Sequence, residues 1–340
     1  MKNKKQIALA AAVVLAVTAL PMGVFAAKKD STEEKLTKVT LNEVAHSIFY
    51  APQYVAIEEG YFAEKGLDLT LVTGFGADKT MTAVISGEAD IGFMGAEASV
   101  YAYQEGATDP VVNFAQLTQR AGNFLVAREE MPDFKWEDLK GEKVLGGRKG
   151  GMPEMVFEYI LKKNGIDPQK DLTIDQSIDF GSTAAAFTSD DSAAYTVEFE
   201  PSATILEKEG AGYVVASLGE ASGYVPYTSY STKASYMKEN PEIIQKFTDA
   251  LQKGMDYVQN HTPEEIAEVI APQFKETDLE TITAIVKRYY DQDTWKENLI
   301  FEKDSFELLQ DILEDAGELT DRTAYENLVQ TEYAQKACKN

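Results

Sequence analysis

The segment FYAPQYVAIEEGYFAEKGLDLTLV, Phe49 to Val72, decides the fold class of this 340-residue chain. Pro52 stands where a first helical turn tolerates proline, and Val55, Ala56 and Tyr61 or Phe62 recur at helical spacing, with Gly60 and Gly66 bracketing the end. Leu67, Leu69 and Leu71 then alternate with Asp68 and Thr70, the period-two pattern of a half-buried strand. Upstream, Val39 to Ala45 is rich in strand formers. Downstream, Asp78 is placed to cap a helix over Lys79 to Ile85, Ser86-Gly87 stop it, and Ile91 to Met94 is a short apolar run of the buried parallel kind. The order is strand, helix, strand, helix, strand. In open sheets of this type ligands sit beyond the carboxyl ends of the strands.

The rest of the chain predicts a second unit of the same class. Strands are expected over Val111–Leu117 and Phe124–Ala127, then a polar linker over Pro132–Lys140. Strands at Lys143–Leu145, Leu172–Ile178, Ala194–Phe199 and Gly212–Leu218 alternate with helices at Glu154–Lys163, Thr183–Phe187 and Pro201–Glu207. The segment GYVPYTSYST, Gly223 to Thr232, leads the chain back, and from Pro241 onward the pattern is helical, with Thr262-Pro263-Glu264-Glu265 a strong helix start. There is no repeat of fixed period and no low-complexity run. Two α/β lobes are expected, each a mostly parallel sheet flanked by helices, with a helical carboxyl-terminal portion. The first lobe takes residues 36–125 and 226–335 and the second 126–225, in keeping with roughly 150 residues per domain.

The formal charge of −24 becomes −27 without the first 26 residues, which hold Lys2, Lys4 and Lys5 and no acid. Such acidity argues against nucleic acid as a partner, because phosphate backbones are bound through clustered basic groups. The amino terminus reads as a secretory signal. The three lysines precede an apolar run from Ile7 to Leu20, Pro21 follows, and Val24-Phe25-Ala26 matches the small-x-small pattern for cleavage after Ala26. The run is shorter than the ~20 residues that span a bilayer, and an uncleaved anchor is the alternative. Export across the cytoplasmic membrane, to the periplasm or the outer face of the cell membrane, is the expectation. The single cysteine, Cys338, excludes an internal disulfide, and no Cys stands at the cleavage site to carry a lipid.

These segments resemble the first lobe of the solute-binding proteins of ABC importers, in the branch that handles nitrate, sulfonates, taurine and thiamine-pyrimidine precursors. The resemblance covers nearly the whole chain after the signal. It implies a two-lobed periplasmic binding protein fold of type II, a monomer that closes over one small molecule and docks on a permease driven by ATPase subunits. It implies no cofactor and no metal. Pyrimidine-binding members usually carry Asp-Trp-x-Pro-Asn after the first strand, where this chain has Asn42-Glu43-Val44-Ala45-His46. The aromatic first loop favours a sulfonate, a pyrimidine or another aromatic or heterocyclic compound over bare nitrate.

The candidate ligand contacts lie in the loops after strands. His46, Ser47 and Tyr50 follow the first strand and can stack on or hydrogen-bond a planar or anionic ligand, or else pack the helix on the sheet. Gly95 and Ala96 are small enough to let a helix start approach a ligand. Gln116 and Thr118, with Gln119 and Arg120, end another strand near the crossover. The loop Gly146-Gly147-Arg148-Lys149-Gly150-Gly151-Met152 leads into a helix. It looks like the Gly-Ser or Gly-Thr loop that family members use to hold a sulfonate, phosphate or polar ring group, with Gly151 in place of the hydroxyl residue; Gly150, Gly151 and Met152 are the contacts this implies. Glu198-Phe199-Glu200-Pro201 resembles the family's aromatic-Glu-Pro, so Glu198 can pair with a ligand amine or cap a helix. Tyr224 and Tyr227 can line the cleft or pack the lobes.

Catalysis has little support in the residues. There is no His-Glu-x-x-His, no paired Cys spacing and no Gly-x-Ser-x-Gly, and only His46 and His261 are present. The pyrimidine synthase that resembles these binding proteins uses a Cys-rich motif, which this chain lacks. Binding without chemistry is the expected function, with a synthase-like enzyme or a sensing protein as alternatives.

Overall fold

A computed structural model describes residues 36–147, 149–178 and 181–339. The expected signal segment and Arg148 lie outside them. Ten strands form two five-stranded sheets. The first holds β1 (Thr37–Glu43), β2 (Leu67–Thr73), β3 (Ile91–Met94), β4 (Val111–Thr118) and β10 (Thr228–Lys233), in the order β2-β1-β3-β10-β4. The second holds β5 (Asn123–Ala127), β6 (Lys143–Leu145), β7 (Thr173–Asp175), β8 (Tyr195–Phe199) and β9 (Tyr213–Ser217), in the order β7-β6-β8-β5-β9.

Each sheet is parallel except for one inserted strand. In the first, β1 runs parallel to β2 and β3, whereas β10 is antiparallel to β3 and β4. In the second, β6 runs parallel to β7 and β8, whereas β5 is antiparallel to β8 and β9. Connectivity explains both exceptions. The chain leaves the first sheet at the carboxyl end of β4 and enters β5 from the side where the parallel strands end, so β5 must run the other way. The return from β9 into β10 repeats the operation. The first crossover falls between Thr118 and Asn123, a few residues before the boundary expected at 125, since β5 belongs wholly to the second sheet. The two crossovers lie side by side, with Val225 N–H donating to Gln119 O at 2.8 Å.

The structure adds one element to the expected set and corrects one expectation. The return segment contains a full strand, β10, buried along most of its length despite the composition TSYSTK. Most of its buried polar side chains find distant partners, Ser231 Oγ being the exception among them: Ser229 Oγ donates to Asn113 Oδ1 at 2.6 Å and Thr232 Oγ1 to Asp90 O at 2.6 Å. Buried polar groups are tolerated when they are paired. Asp78 does not cap its helix. That helix runs Ala77–Ser86 with Gly76 at the cap, where φ of 147° suits glycine, and Asp78 falls in the first turn.

The carboxyl-terminal helices brace the first sheet and touch the second. The helix Pro241–Asn260 lies against the helix Ala51–Glu58 so closely that a Cβ at Gly254 would sit 2.3 Å from Pro52 O. The expected helix start at Thr262 opens the helix Pro263–Ile270, and Thr262 and Glu265 form its capping box. From the helix Leu279–Asp291, Arg288 pairs with Glu200 at 2.6 Å and Glu207 at 2.7 Å on the second lobe.

Candidate functional site: the strand ends between the lobes

The carboxyl ends of β1, β3 and β4 face those of β6 and β8, and the lobes are in contact there. Ser47 Oγ donates to Glu200 O at 3.3 Å, and Tyr101 OH donates to Gly150 O at 3.1 Å. Ser47 also accepts from Phe49 N–H, which starts the short 3₁₀ turn Ile48–Tyr50. That turn directs Phe49 into the junction. Its ring lies 5.8 Å from Phe199, 5.6 Å from Tyr227, 5.2 Å from Tyr50 and 5.2 Å from Tyr289. Gly122 in the first crossover makes this possible, since a Cβ there would meet the Phe49 ring at 2.6 Å.

The first-lobe candidates divide into two groups. His46 turns into its own lobe: Nδ1 lies 2.8 Å from Glu43 Oε1 and Nε2 lies 3.0 Å from Gln273 O. The Glu43 hydrogen bond raises its pKa above 6.5, against the opposing effect of burial. Tyr50 faces the junction, packed edge-on against Phe93 at 4.5 Å. Burial, with the charges of Glu43 and Glu97, pushes its pKa up, so its hydroxyl stays protonated. Gly95 and Ala96 precede the helix Glu97–Gln104, and the Glu97 carboxylate folds back over Gly95, where a Cβ would meet it at 2.0 Å. Gln116 Nε2 donates to Thr118 O at 3.0 Å, and Thr118 Oγ1 lies 2.5 Å from Thr228 Oγ1. The first bond stays within β4, and the Thr118–Thr228 contact ties β4 to β10 at the mouth of the crossovers.

On the second lobe, Gly150 N–H donates to Glu154 Oε2 at 3.1 Å, and Gly151 caps the helix Met152–Lys163, with Met152 buried. Burial and the neighbouring Glu158 push the Glu154 carboxyl up to about 8. Glu198 is buried and accepts from Thr196 Oγ1 at 2.6 Å. Burial pushes its carboxyl up to about 7, while bonds to Thr196 and Thr183 pull the other way. Tyr224 is 57% exposed, lies under the Arg120 guanidinium at 4.3 Å and donates to Asp293. Tyr227 is buried against Phe49, and its hydroxyl donates to Asn123 Oδ1 at 3.3 Å.

Ser47, Tyr50 and Tyr227 thus meet around Phe49, whereas His46 and Tyr224 are directed elsewhere. Phe49, Glu97, Phe199 and Asn123 belong to the same junction and were not singled out from the sequence. An isolated amide directly before the apolar run Phe124–Ala127 is the one local sign of Asn123. Among the described residues no group of acidic, His or Cys side chains is arranged to hold a metal ion, and no helix is long and apolar enough to cross a membrane.

Comparison with known proteins agrees with this geometry. YtlA of Bacillus subtilis (strain 168), named as a binding protein, is 47% identical over 312 residues, 92% of this chain and 93% of YtlA. The alkanesulfonate-binding protein SsuA from Xanthomonas axonopodis pv. citri, bound to MOPS, superposes with a TM-score of 0.69 at 15% identity, covering 87% of this chain and 99% of SsuA. The periplasmic nitrate-binding protein NrtA from Synechocystis PCC 6803 has a TM-score of 0.69 at 16% identity, covering 90% of this chain and 89% of NrtA. Both share the two-lobed binding-protein fold, and the binding reading is favoured over the enzymatic one. The family model described as NMT1/THI5 like matches residues 48–266, and the chain belongs to that family.

Proposed function

We propose that this protein is the extracytoplasmic solute-binding subunit of an ABC importer, exported by a signal that is cleaved after Ala26. It works as a monomer that captures a small organic molecule, a sulfonate, a pyrimidine or another heterocycle, between its lobes. The closed form then presents that molecule to a membrane permease driven by ATPase subunits. One observation carries the reading. The strand ends of two sheets meet across two adjacent crossovers, and the side chains that converge there, Phe49, Tyr50, Phe199 and Tyr227, are all aromatic, the two tyrosines adding hydroxyl tips. Such a surface holds a planar ligand and excludes water from it. Closure is favoured only if the ligand touches both lobes. Ser47, Tyr50, Gly95 and Ala96 on one side and Glu198 and Gly150 on the other are the proposed contacts.

A thermal-shift screen of the exported chain against sulfonates, nitrate, pyrimidines, flavins and other heterocycles tests this. A ligand at a hundred times its Kd stabilises the folded state by about 2.7 kcal/mol and raises the midpoint accordingly. A shift with one chemical class supports capture; a flat screen on protein stripped of ligand by unfolding and refolding counts against it.

A further inference from the structure

We infer that Asn123 is the specificity-determining residue of the cleft, and that the ligand is an uncharged planar ring compound whose ring nitrogen or exocyclic carbonyl accepts a hydrogen bond from Asn123 Nδ2. This rests on the capture reading and narrows it.

The argument begins with the position of the amide. Asn123 is the first residue of β5, directly after the first crossover, and pairs in register with Phe199 at the end of β8. It is 0% exposed. Its Oδ1 accepts from Tyr227 OH, a residue of the second crossover, at 3.3 Å. Its Nδ2 has no hydrogen-bond partner among the described residues. Buried amide hydrogens are paired in the great majority of native proteins, and one left over at the meeting point of two lobes points to a partner from outside the chain.

The surroundings define what that partner looks like. Phe199, Phe49 and Tyr227 place three rings beside the amide, with Phe49 5.8 Å from Phe199 and 5.6 Å from Tyr227. Phe49 meets the other two rings edge to face, at 69° and 87°, and aromatic surface of this kind favours contact with a flat ring over an alkyl chain or a small tetrahedral ion. Apart from the carboxyl groups of Glu97 and Glu198, the polar groups that converge there, the Asn123 amide and the Tyr227 and Tyr50 hydroxyls, are uncharged. The Glu97 carboxylate acts on both tyrosines and Glu43 on Tyr50, and these negative charges disfavour an anion. A site built to hydrogen-bond one edge of a ring discriminates against compounds that lack it, because its own polar group is then left unpaired.

The test is titration calorimetry on the exported chain with an aminopyrimidine, riboflavin, an alkanesulfonate and nitrate as probes. Wild type is compared with Asn123→Leu, Asn123→Asp and Tyr227→Phe. The inference expects an uncharged ring compound to bind, and Asn123→Leu and the isosteric Asn123→Asp each to weaken it about tenfold, the scale of one lost hydrogen bond. Tyr227→Phe, which frees Asn123 Oδ1 but keeps the ring, should change affinity less than either. Asn123→Asp keeps the test open if the leucine variant does not fold. A preference for the sulfonate or nitrate, or affinity in Asn123→Asp within twofold of wild type, overturns the inference and leaves capture standing. No binding of any probe class by refolded wild type overturns both.

Discussion

Glu43 and His46, three residues apart at the end of β1, share a 2.8 Å hydrogen bond that completes the pairing of a fully buried carboxylate. Oε1 also accepts from Thr73 Oγ1 at 3.1 Å, and Oε2 accepts from Gln53 Nε2 and Tyr54 OH, each at 2.8 Å. Four donors from four positions hold one charge, so the end of β1 is rigid where it enters the junction. An unpaired carboxylate at such a site would be strongly destabilising.

The first prediction concerns His46. Its folded pKa is raised, so the stabilisation is fully present below the unfolded value of 6.5 and is lost as pH rises through the folded value. His46→Gln should flatten the dependence of the thermal midpoint on pH above 6.5. An unchanged slope between pH 6.5 and 8.5 would assign the pH dependence to other groups.

Glu198 acts with the same sign for a different reason. Its folded pKa of about 7 exceeds the ordinary 4.5, so the folded state binds the proton more tightly. Stability falls as pH rises from 4.5 through 7, by on the order of 3 kcal/mol in all. Glu198→Gln should be at least as stable as wild type at pH 8 and lose most of this slope in urea titrations. Glu154, pushed up to about 8, leaves a residual slope that Glu154→Gln removes.

Gly122 tests the packing at the crossover. Gly122→Ala puts a methyl group 2.6 Å from the Phe49 ring, which is buried and whose backbone carbonyl accepts from Trp295 Nε1 at 2.9 Å. Overpacking of this kind costs about 1–3 kcal/mol. Denaturant unfolding should show that loss, and Phe49→Leu in the same chain should recover part of it.

Two of the bonds between the lobes, those of Ser47 and Tyr101, should contribute measurably to the balance between closed and open forms. Ser47→Ala and Tyr101→Phe each remove one bond across the junction, from Glu200 O and Gly150 O respectively. Each loss is worth about 1 kcal/mol, so the closed population should drop roughly fivefold relative to the open one. Small-angle scattering of the ligand-free protein would register a larger radius of gyration. No change in the double variant would mean that other contacts hold the lobes.

Tyr50 is better tested by Tyr50→Phe than by truncation to alanine. Its ring is buried against Phe93 and Phe49, and removing it entirely costs about 3–5 kcal/mol of packing. Loss of the hydroxyl alone should weaken ligand binding severalfold while the melting midpoint stays within a few degrees.

By itself the sequence determined the elements whose signal is local. Pro52 at a helix start, the alternation of Leu67, Leu69 and Leu71, the apolar run Ile91–Met94 and the helix start at Thr262 all depend on residues within one or two turns, and each stands where it was expected. Tertiary structure alone decided the rest. Thr228–Lys233 becomes a central strand because Ser229 finds Asn113, 116 positions away, and Thr228 finds Thr118, 110 positions away. His46 is turned from the junction by a carbonyl 227 positions along the chain, and Asn123 enters it because β5 must reverse direction after the crossover. Periodicity reports which face of an element is buried; it carries no record of which distant polar group will be waiting there.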